Sequence, residues 1–359
     1  MITECARCPT SVCRLGRPEE SPEDCPMRQD FPDHRVLYAA EEVRRRTTEA
    51  ALIEAYGYCR WTRLDEVGEF ARRMECVSVG IGYCAGMERE ARLAASYLRN
   101  LGLHVELPAG GRCDPEGQAE HFNAACTDIN VIAGMCVGHD AHFLKASQAG
   151  VTCLVARDTF LQHNPVGAIY ASRTYFHRAL YQGHLRPERV EWEGAIAPHL
   201  HHIASEVAHE GQGRWTRLEE TIELAHRLGA TRLGLAFCHG LREEAKVVDN
   251  VLQANGFEVR SVGCKVGAVP KEEFGILDAQ KVRPGQPEPI CNPLAQAELL
   301  NKQQTHLNLV MGQCVGHDMA TMRSLDAPTT CLIAKDRVLA HNTVAALYAW
   351  QGQLEKAPA

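Results

Sequence analysis

Twice in this chain a Cys, a His and an Asp stand in the same frame: Met135-Cys136-Val137-Gly138-His139-Asp140 and Gln313-Cys314-Val315-Gly316-His317-Asp318. A thiolate can ligate a metal or attack an electrophile, and an imidazole can move a proton near neutral pH. Each copy follows an apolar run, 130–133 and 307–311, that reads as a buried strand. Each precedes a Pro-free segment able to run as a helix. The trio therefore falls where a strand ends and a helix begins. The helix dipole favours a thiolate there, and open α/β sheets bind ligands along that edge.

More thiols belong to the same pattern. Cys238 and Cys314 end predicted strands, Cys264 follows another, and Cys291 precedes the Asn-Pro opening of a helix. Cys84, Cys113 and Cys136 repeat three of them in the first half of the chain. Thiols at one sheet edge can converge although they lie far apart in sequence. Three could hold an iron–sulfur cluster with one iron open, and four could close a cluster or a zinc site. An iron–sulfur cluster is the preferred cofactor and zinc the other. The alternative is that Cys and Gly are small residues tolerated at tight turns.

His317 and Asp318 follow Cys314 by three and four residues, close enough on a first helical turn to ligate, donate to sulfur or shuttle a proton. His341-Asn342 follows the last strand on the same edge, with Lys335-Asp336-Arg337 just before it. The candidate catalytic groups are thus His317, Asp318, Lys335, Asp336 and His341. Helix capping by Asp and a solvated turn are the competing readings. Lys265 and Lys271 occur only in the second half, where a cation could offset thiolate charge, hold an anionic substrate or simply be solvated. A His-rich run, Pro198 to His202 with His209 beyond it, could bind a metal or be an exposed linker.

The N-terminus carries its own set. Cys5, Cys8, Cys13 and Cys25 are spaced C-x2-C-x4-C-x11-C, among prolines that exclude long helices. So short a module cannot bury a core, and a tetrahedral zinc or an iron–sulfur cluster is its natural staple. A reduced tail docked on the main body is the alternative.

These residues are positioned by a repeat. Arg60-Trp61-Thr62-Arg63-Leu64 recurs as Arg214-Trp215-Thr216-Arg217-Leu218, an offset of 154 (214 − 60), which also carries Cys84 onto Cys238. Beyond that the offset is 178 (314 − 136), carrying Cys113-Asp114-Pro115 onto Cys291-Asn292-Pro293, Arg157-Asp158 onto Lys335-Asp336 and His163-Asn164 onto His341-Asn342. The second copy gains its extra residues in a Gly/Pro-rich loop between about 261 and 290. Each copy alternates short apolar strands with helices, in the second near 232–237, 257–263, 306–312 and 329–334. That order implies parallel sheets with right-handed crossovers. The expected fold is α/β: two tandem related three-layer domains, flavodoxin-like in architecture, plus the Cys-rich module. The expected boundaries are 1–34 for the module, 35–177 for a partly degenerate first repeat, 178–212 for a linker and 213–359 for the second repeat. A helix is expected from Arg35 to Tyr58, with Val36, Leu37, Ala40 and Val43 on one side.

Composition narrows the rest. The chain has 359 residues, 45% hydrophobic and 23% charged, enough for two cored domains. A formal charge of −7 argues against binding nucleic acid by phosphate neutralisation. No apolar run approaches membrane-spanning length and no signal-peptide core is evident, so a cytoplasmic protein is expected. In a reducing compartment, 16 Cys point to metal or thiol chemistry rather than disulfides.

Taken together, the N-terminal Cys set ending in Cys25-Pro26-Met27, then Phe237-Cys238-x-Gly240-Leu241, Cys264-Lys265-x-Gly267, Cys291-Asn292-Pro293, Cys314-x-Gly316-His317-Asp318, Lys335-Asp336-Arg337 and His341-Asn342 resemble the family called domain of unknown function 1847. The likeness covers residues 1–30 and 213–350, and more weakly 59–175. It implies a metal-binding protein, and it sets the second repeat, which matches throughout, above the first. The leading expectation is a metalloprotein doing redox or sulfur chemistry on a small molecule at the second repeat, with a small-molecule substrate or redox partner. A zinc-stabilised scaffold without catalysis, or a metal-free thiol enzyme using Cys314 and His317, are the rivals.

Overall fold

Short runs rich in Leu, Val and Ile form two four-stranded sheets. A computed structural model describes residues 3–28, 31–108, 113–182 and 197–355. The first sheet holds β1 (Ser78–Gly82), β2 (His104–Glu106), β3 (Ile129–Ala133) and β4 (Gly150–Val155), in the order β2-β1-β3-β4. The second holds β5 (Arg232–Phe237), β6 (Glu258–Gly263), β7 (Leu307–Met311) and β8 (Thr329–Ile333), in the matching order β6-β5-β7-β8. All pairs are parallel. Along β7, Leu307, Leu309 and Met311 enter one core and Val310 another, so strand alternation places helices on both faces. The fold is α/β in three layers, duplicated.

The halves interleave. Helix Val344–Leu354 of the second half packs on Glu88–Asn100 of the first, and helices Val166–Tyr170 and His177–Tyr181 pack on Arg242–Ala254 of the second. One core joins Val315, Met319 and Leu347 to Phe70 and Ala91. Packing therefore crosses the sequence boundaries at 177 and 213. Within the expected linker, Ala197–Gly211 is a helix against Arg217–Arg227, and positions 183–196 lie outside the described residues.

The repeated Arg-Trp-Thr-Arg-Leu motif starts a helix in each half. Thr62 and Asp65 form a capping box for Arg63–Arg73, and Thr216 and Glu219 do the same for Arg217–Arg227. The Arg after each capping Thr is buried and crosses to the other half. Arg63 pairs with Asp318, and Arg217 Nη2 lies 2.7 Å from Asp140 Oδ2. Thr152 Oγ1 also donates to Asp318 at 2.7 Å, and Thr330 Oγ1 to Asp140 at 2.6 Å. The Asp of each Gly-His-Asp motif thus locks the two halves together.

Gly138 and Gly316 precede the helices His139–Ala146 and His317–Ser324, both with φ of 85°. A Cβ on Gly316 would fall 2.4 Å from the Phe70 ring of the first half. Backbone strain and this clash together predict that Gly316→Ala lowers stability by about 1–3 kcal/mol, read from the urea midpoint. An unchanged midpoint would show that neither constraint matters.

Among the described residues of the N-terminal module the elements are short turns, as its prolines require: Cys5–Arg7, Val12–Leu15, Pro18–Glu20 and Pro26–Arg28. It docks on edge strand β6. Ser261 N donates to Thr3 O at 2.8 Å, and Ala6 N donates to Ser261 Oγ at 3.0 Å. Ala6 enters the second half's core, so the module borrows a core that it cannot build. The helix expected from Arg35 is split into His34–Leu37 and Glu41–Tyr56, which leaves Val36 73% exposed. Among the described residues, no helix is long and apolar enough to cross a membrane.

Candidate functional site

Four loops at the carboxyl edge of the second sheet bring four thiols together. Cys238 follows β5, Cys264 follows β6, Cys314 lies just beyond β7, and Cys291 stands two residues before Pro293, which opens a helix capped by Asn292. All four are 3–5% exposed. The Cys264 and Cys291 sulfurs are 3.6 Å apart. The Lys335 ammonium, two residues beyond β8, stands 2.7 Å from Cys238 Sγ and 3.7 Å from Cys314 Sγ. Arg337 Nη2 donates to Cys314 Sγ at 3.3 Å. Cys238, Cys291 and Cys314 thus share one sheet edge, with Lys335 between Cys238 and Cys314.

Electrostatics divide the thiols. A hydrogen bond from Cys264 lowers Cys238 to about 5 against the opposing effect of burial, with help from Lys335. The same bonding holds Cys291 well below the ordinary thiol range, again against burial and aided by Lys265. Cys264 itself is pushed up, by its hydrogen bonding with Cys238 and Cys291 and then by burial. Burial would lower His317, but Cys291 and then Cys314 beside it raise it to about 10. His317 Nε2 lies 3.2 Å from Thr47 O, while its buried Nδ1 has no hydrogen-bond partner of ordinary geometry. Burial and Arg337 press Lys335 down, yet Cys238, Cys314 and Glu54 outweigh them and it stays charged.

Beside the thiols opens a cavity of about 310 Å3. Arg14, Lys265, Lys335 and Arg337 give it cationic walls. His341 also lines it, neutral because burial and then Lys335 and Arg337 lower its pKa to about 4. Sequence reasoning missed two groups from the other half. Glu54 Oε1 is 2.6 Å from Arg337 Nη2, and Glu66 Oε1 is 3.2 Å from Nη1. Burial would raise Glu54, but Lys265, Arg337 and Lys335 keep it ionised, whereas burial lifts Glu66 to about 7. Glu66 had a signal, since the offset of 154 carries it onto Glu220; Glu54 falls on Ala208 and had none.

The other predicted residues divide as follows. His317, Lys335 and His341 face the thiols or the cavity. Asp318 is spent on Arg63 and Asp336 on backbone: Arg63 N and Leu339 N donate to it at 2.8 and 2.7 Å. In this structure both carboxylates hold structural partners, Asp318 taking Arg63, Thr152 Oγ1 and Met319 N, and Asp336 the N–H groups of Arg63, Val338 and Leu339. Lys271 is fully buried against Glu288, so it serves the insertion loop rather than the cavity. From the His-rich run, His201 lies over His139, ring centroids 4.9 Å apart, and His202 pairs with Glu206 at 3.1 Å.

The first half repeats the site in reduced form. The Cys84 and Cys136 sulfurs are 3.9 Å apart, and Arg157 Nη1 is 3.3 Å from Cys136 Sγ. Cys113 is exposed, its sulfur 3.2 Å from His139 Nδ1. Thr159 stands where the second half has Arg337, and the local cavity is about 10 Å3. In the N-terminal module, Cys5, Cys8, Cys13 and Cys25 line one cavity of about 30 Å3 against Phe237 and His239. Burial, then its neighbours Cys8 and Cys25, push Cys13 up to about 11.

Fit to a metal can be judged from spacing. A tetrahedral zinc–thiolate site separates sulfurs by about 3.8 Å, from its Zn–S length of about 2.3 Å. The Cys264–Cys291 and Cys84–Cys136 pairs match one edge of that tetrahedron. Among the described residues, no three His, Cys, Asp or Glu side chains gather as ligands of one ion.

Comparison with known proteins gives context. An uncharacterised protein of Methanocaldococcus jannaschii, MJ0455, is 46% identical over 133 residues, 37% of this chain and 67% of that protein. Among solved structures, Dph2 from Pyrococcus horikoshii with a 4Fe-4S cluster overlaps 80% of this chain and 91% of its own at 12% identity and a TM-score of 0.22. An ABC domain in complex with L-Trp from Streptococcus pneumonia overlaps 79% and 86% at 9% identity and a TM-score of 0.25. At those TM-scores neither bears on function. The model of the family described as "Protein of unknown function (DUF1847)" matches residues 25–107, 106–154 and 187–332, so the chain belongs to that family.

Proposed function

We propose that the second half is a redox or sulfur-transferring centre. In this reading Cys238, Cys291 and Cys314, with Cys264 beside them, hold an iron–sulfur cluster, and a small molecule enters the cavity alongside. The observation that carries it is the pair of thiols flanking Lys335 at 2.7 and 3.7 Å, among four buried thiols from four loops. Thiolates so gathered repel one another, and bound metal relieves that repulsion. Lys335, Arg337 and His317 supply the counter-charge. A cluster spans several ångströms and takes its thiolates farther apart than one ion does, which suits a set whose members do not crowd a single point. Bound through three thiolates, it would supply an iron with an open position. Lys265, Lys335 and Arg337 would hold an anionic substrate, and His317 would carry the proton.

The N-terminal quartet supports a second, separate metal. Its four thiols line one small cavity, and four thiolates are a set that a tetrahedral zinc takes. Metal analysis and visible absorption of anaerobically purified protein test both assignments. Iron with acid-labile sulfide and a brown colour is expected, with about one zinc per chain. A colourless protein with zinc alone would leave the scaffold reading. A metal-free protein whose Cys314 alkylates rapidly would leave the thiol enzyme.

A further inference from the structure

The first half has kept the thiols and lost what surrounds them in the second. We propose that Cys84 and Cys136 form a redox-active dithiol that exchanges with low-molecular-weight disulfides. This holds whether or not the second half carries a cluster.

Three observations support it. First, the two sulfurs stand 3.9 Å apart, and the loops that bear them are tied by a bond from Cys84 N to Gly134 O of 3.2 Å. A disulfide requires the two sulfurs to close from 3.9 Å to about 2.05 Å, a shift within the reach of side-chain rotation. Second, Cys84 is partly exposed and Cys136 is 3% exposed, so one thiol is open to attack and the other is shielded. A side chain added at the neighbouring Gly86 would meet nothing within 4 Å, which leaves room for a small disulfide to approach. The matching Cys238 and Cys314 of the second half are 5% and 3% exposed. Third, Cys113 is engaged by His139 and Arg157 aims at Cys136, so a cation rather than a third thiol completes the pair.

The chemistry balances. The Cys84 thiolate attacks one sulfur of the disulfide, whose S–S bond breaks and releases one thiol, leaving a mixed disulfide on Cys84. Cys136 gives its proton to solvent, steadied as a thiolate by Arg157, and attacks the Cys84 sulfur. The second small thiol then leaves. The protein loses two electrons and two protons, and the small disulfide becomes two thiols.

The test uses the full chain, reduced anaerobically and then exposed to graded ratios of oxidised to reduced glutathione. After alkylation and digestion, the expected product is a linked Cys84–Cys136 peptide. In Cys136→Ser the second step is blocked, so glutathione should stay on Cys84, formed about tenfold faster than on exposed Cys126 at pH 7. Mapping of the unaltered chain stands alone if that variant fails to fold. The proposal is overturned if no Cys84–Cys136 linkage forms at any ratio. It is equally overturned if both thiols stay inert until a chelator is added, since the pair would then be metal ligands.

Discussion

Replacing Cys314 by Ser is expected to remove the metal proposed for the second half and to leave the one proposed for the N-terminal quartet in place. The sulfur of Cys314 is the point where the Arg337 and Lys335 cations meet, at 3.3 and 3.7 Å. A hydroxyl of similar size does not ionise at neutral pH and is a hard, weak ligand for iron or zinc. The substitution therefore removes a ligand and also the sulfur on which Lys335 and Arg337 converge. Metal content measured per chain should fall by the whole amount assigned to that site, and visible absorption should go with it. Lys335→Met keeps every thiol but removes the counter-charge. As a group acting on ligands from outside, it should weaken metal binding by about 10–100-fold without abolishing it. Cys136→Ser, in the first half, should leave the second half's metal in place. Unchanged metal and colour in Cys314→Ser would exclude Cys314 from the ligand set.

Much of this arrangement was legible in the residues, for reasons that also explain what was not. Strands β5 to β8 fall within a residue of where their apolar runs placed them, because buried parallel strands show as short, largely apolar runs such as Leu233 to Phe237 and Leu307 to Met311. The convergence of Cys238, Cys264, Cys291 and Cys314 followed from topology, since loops after parallel strands share an edge. Side-chain direction was another matter. Asp318 stands next to His317, yet it turns to Arg63 of the other half while His317 turns to the thiols. A one-residue step on a helix rotates a side chain by about 100°, and no pattern in a single segment says which neighbour waits there. Glu54 was invisible for the same reason: it lies in a helix that reads as ordinary, and only the interleaving of the halves brings it to Arg337. The repeated Arg63 and Arg217 were in view, but as markers of the duplication rather than as its lock.

That lock yields the largest expected change in stability. Arg63 is 1% exposed, and each of its donor groups is used across elements. Nε donates to Cys153 O at 3.1 Å, Nη1 to Gln313 O at 2.7 Å and Nη2 to Thr152 Oγ1 at 3.0 Å, besides the pairing with Asp318. Arg63→Met keeps the length of the side chain and removes the charge, so Asp318 is left ionised or forced to protonate in a dry site. Removing one partner of a buried pair costs about 3–5 kcal/mol, far above the 1 kcal/mol or less of an exposed pair. Urea denaturation should show a loss of that size, and Arg217→Met, freeing Asp140, should match it. The double variant Arg63→Met/Asp318→Leu should recover part of the loss, because two apolar groups leave no buried charge behind. A loss below about 1 kcal/mol for Arg63→Met would mean that water reaches the pair. The same variant also bears on chemistry: Gln313 O and Asp318 flank Cys314, so when Arg63 lets go, the loop that carries the thiol loses its anchor. Metal binding at the second half should then weaken even in the fraction of protein that remains folded.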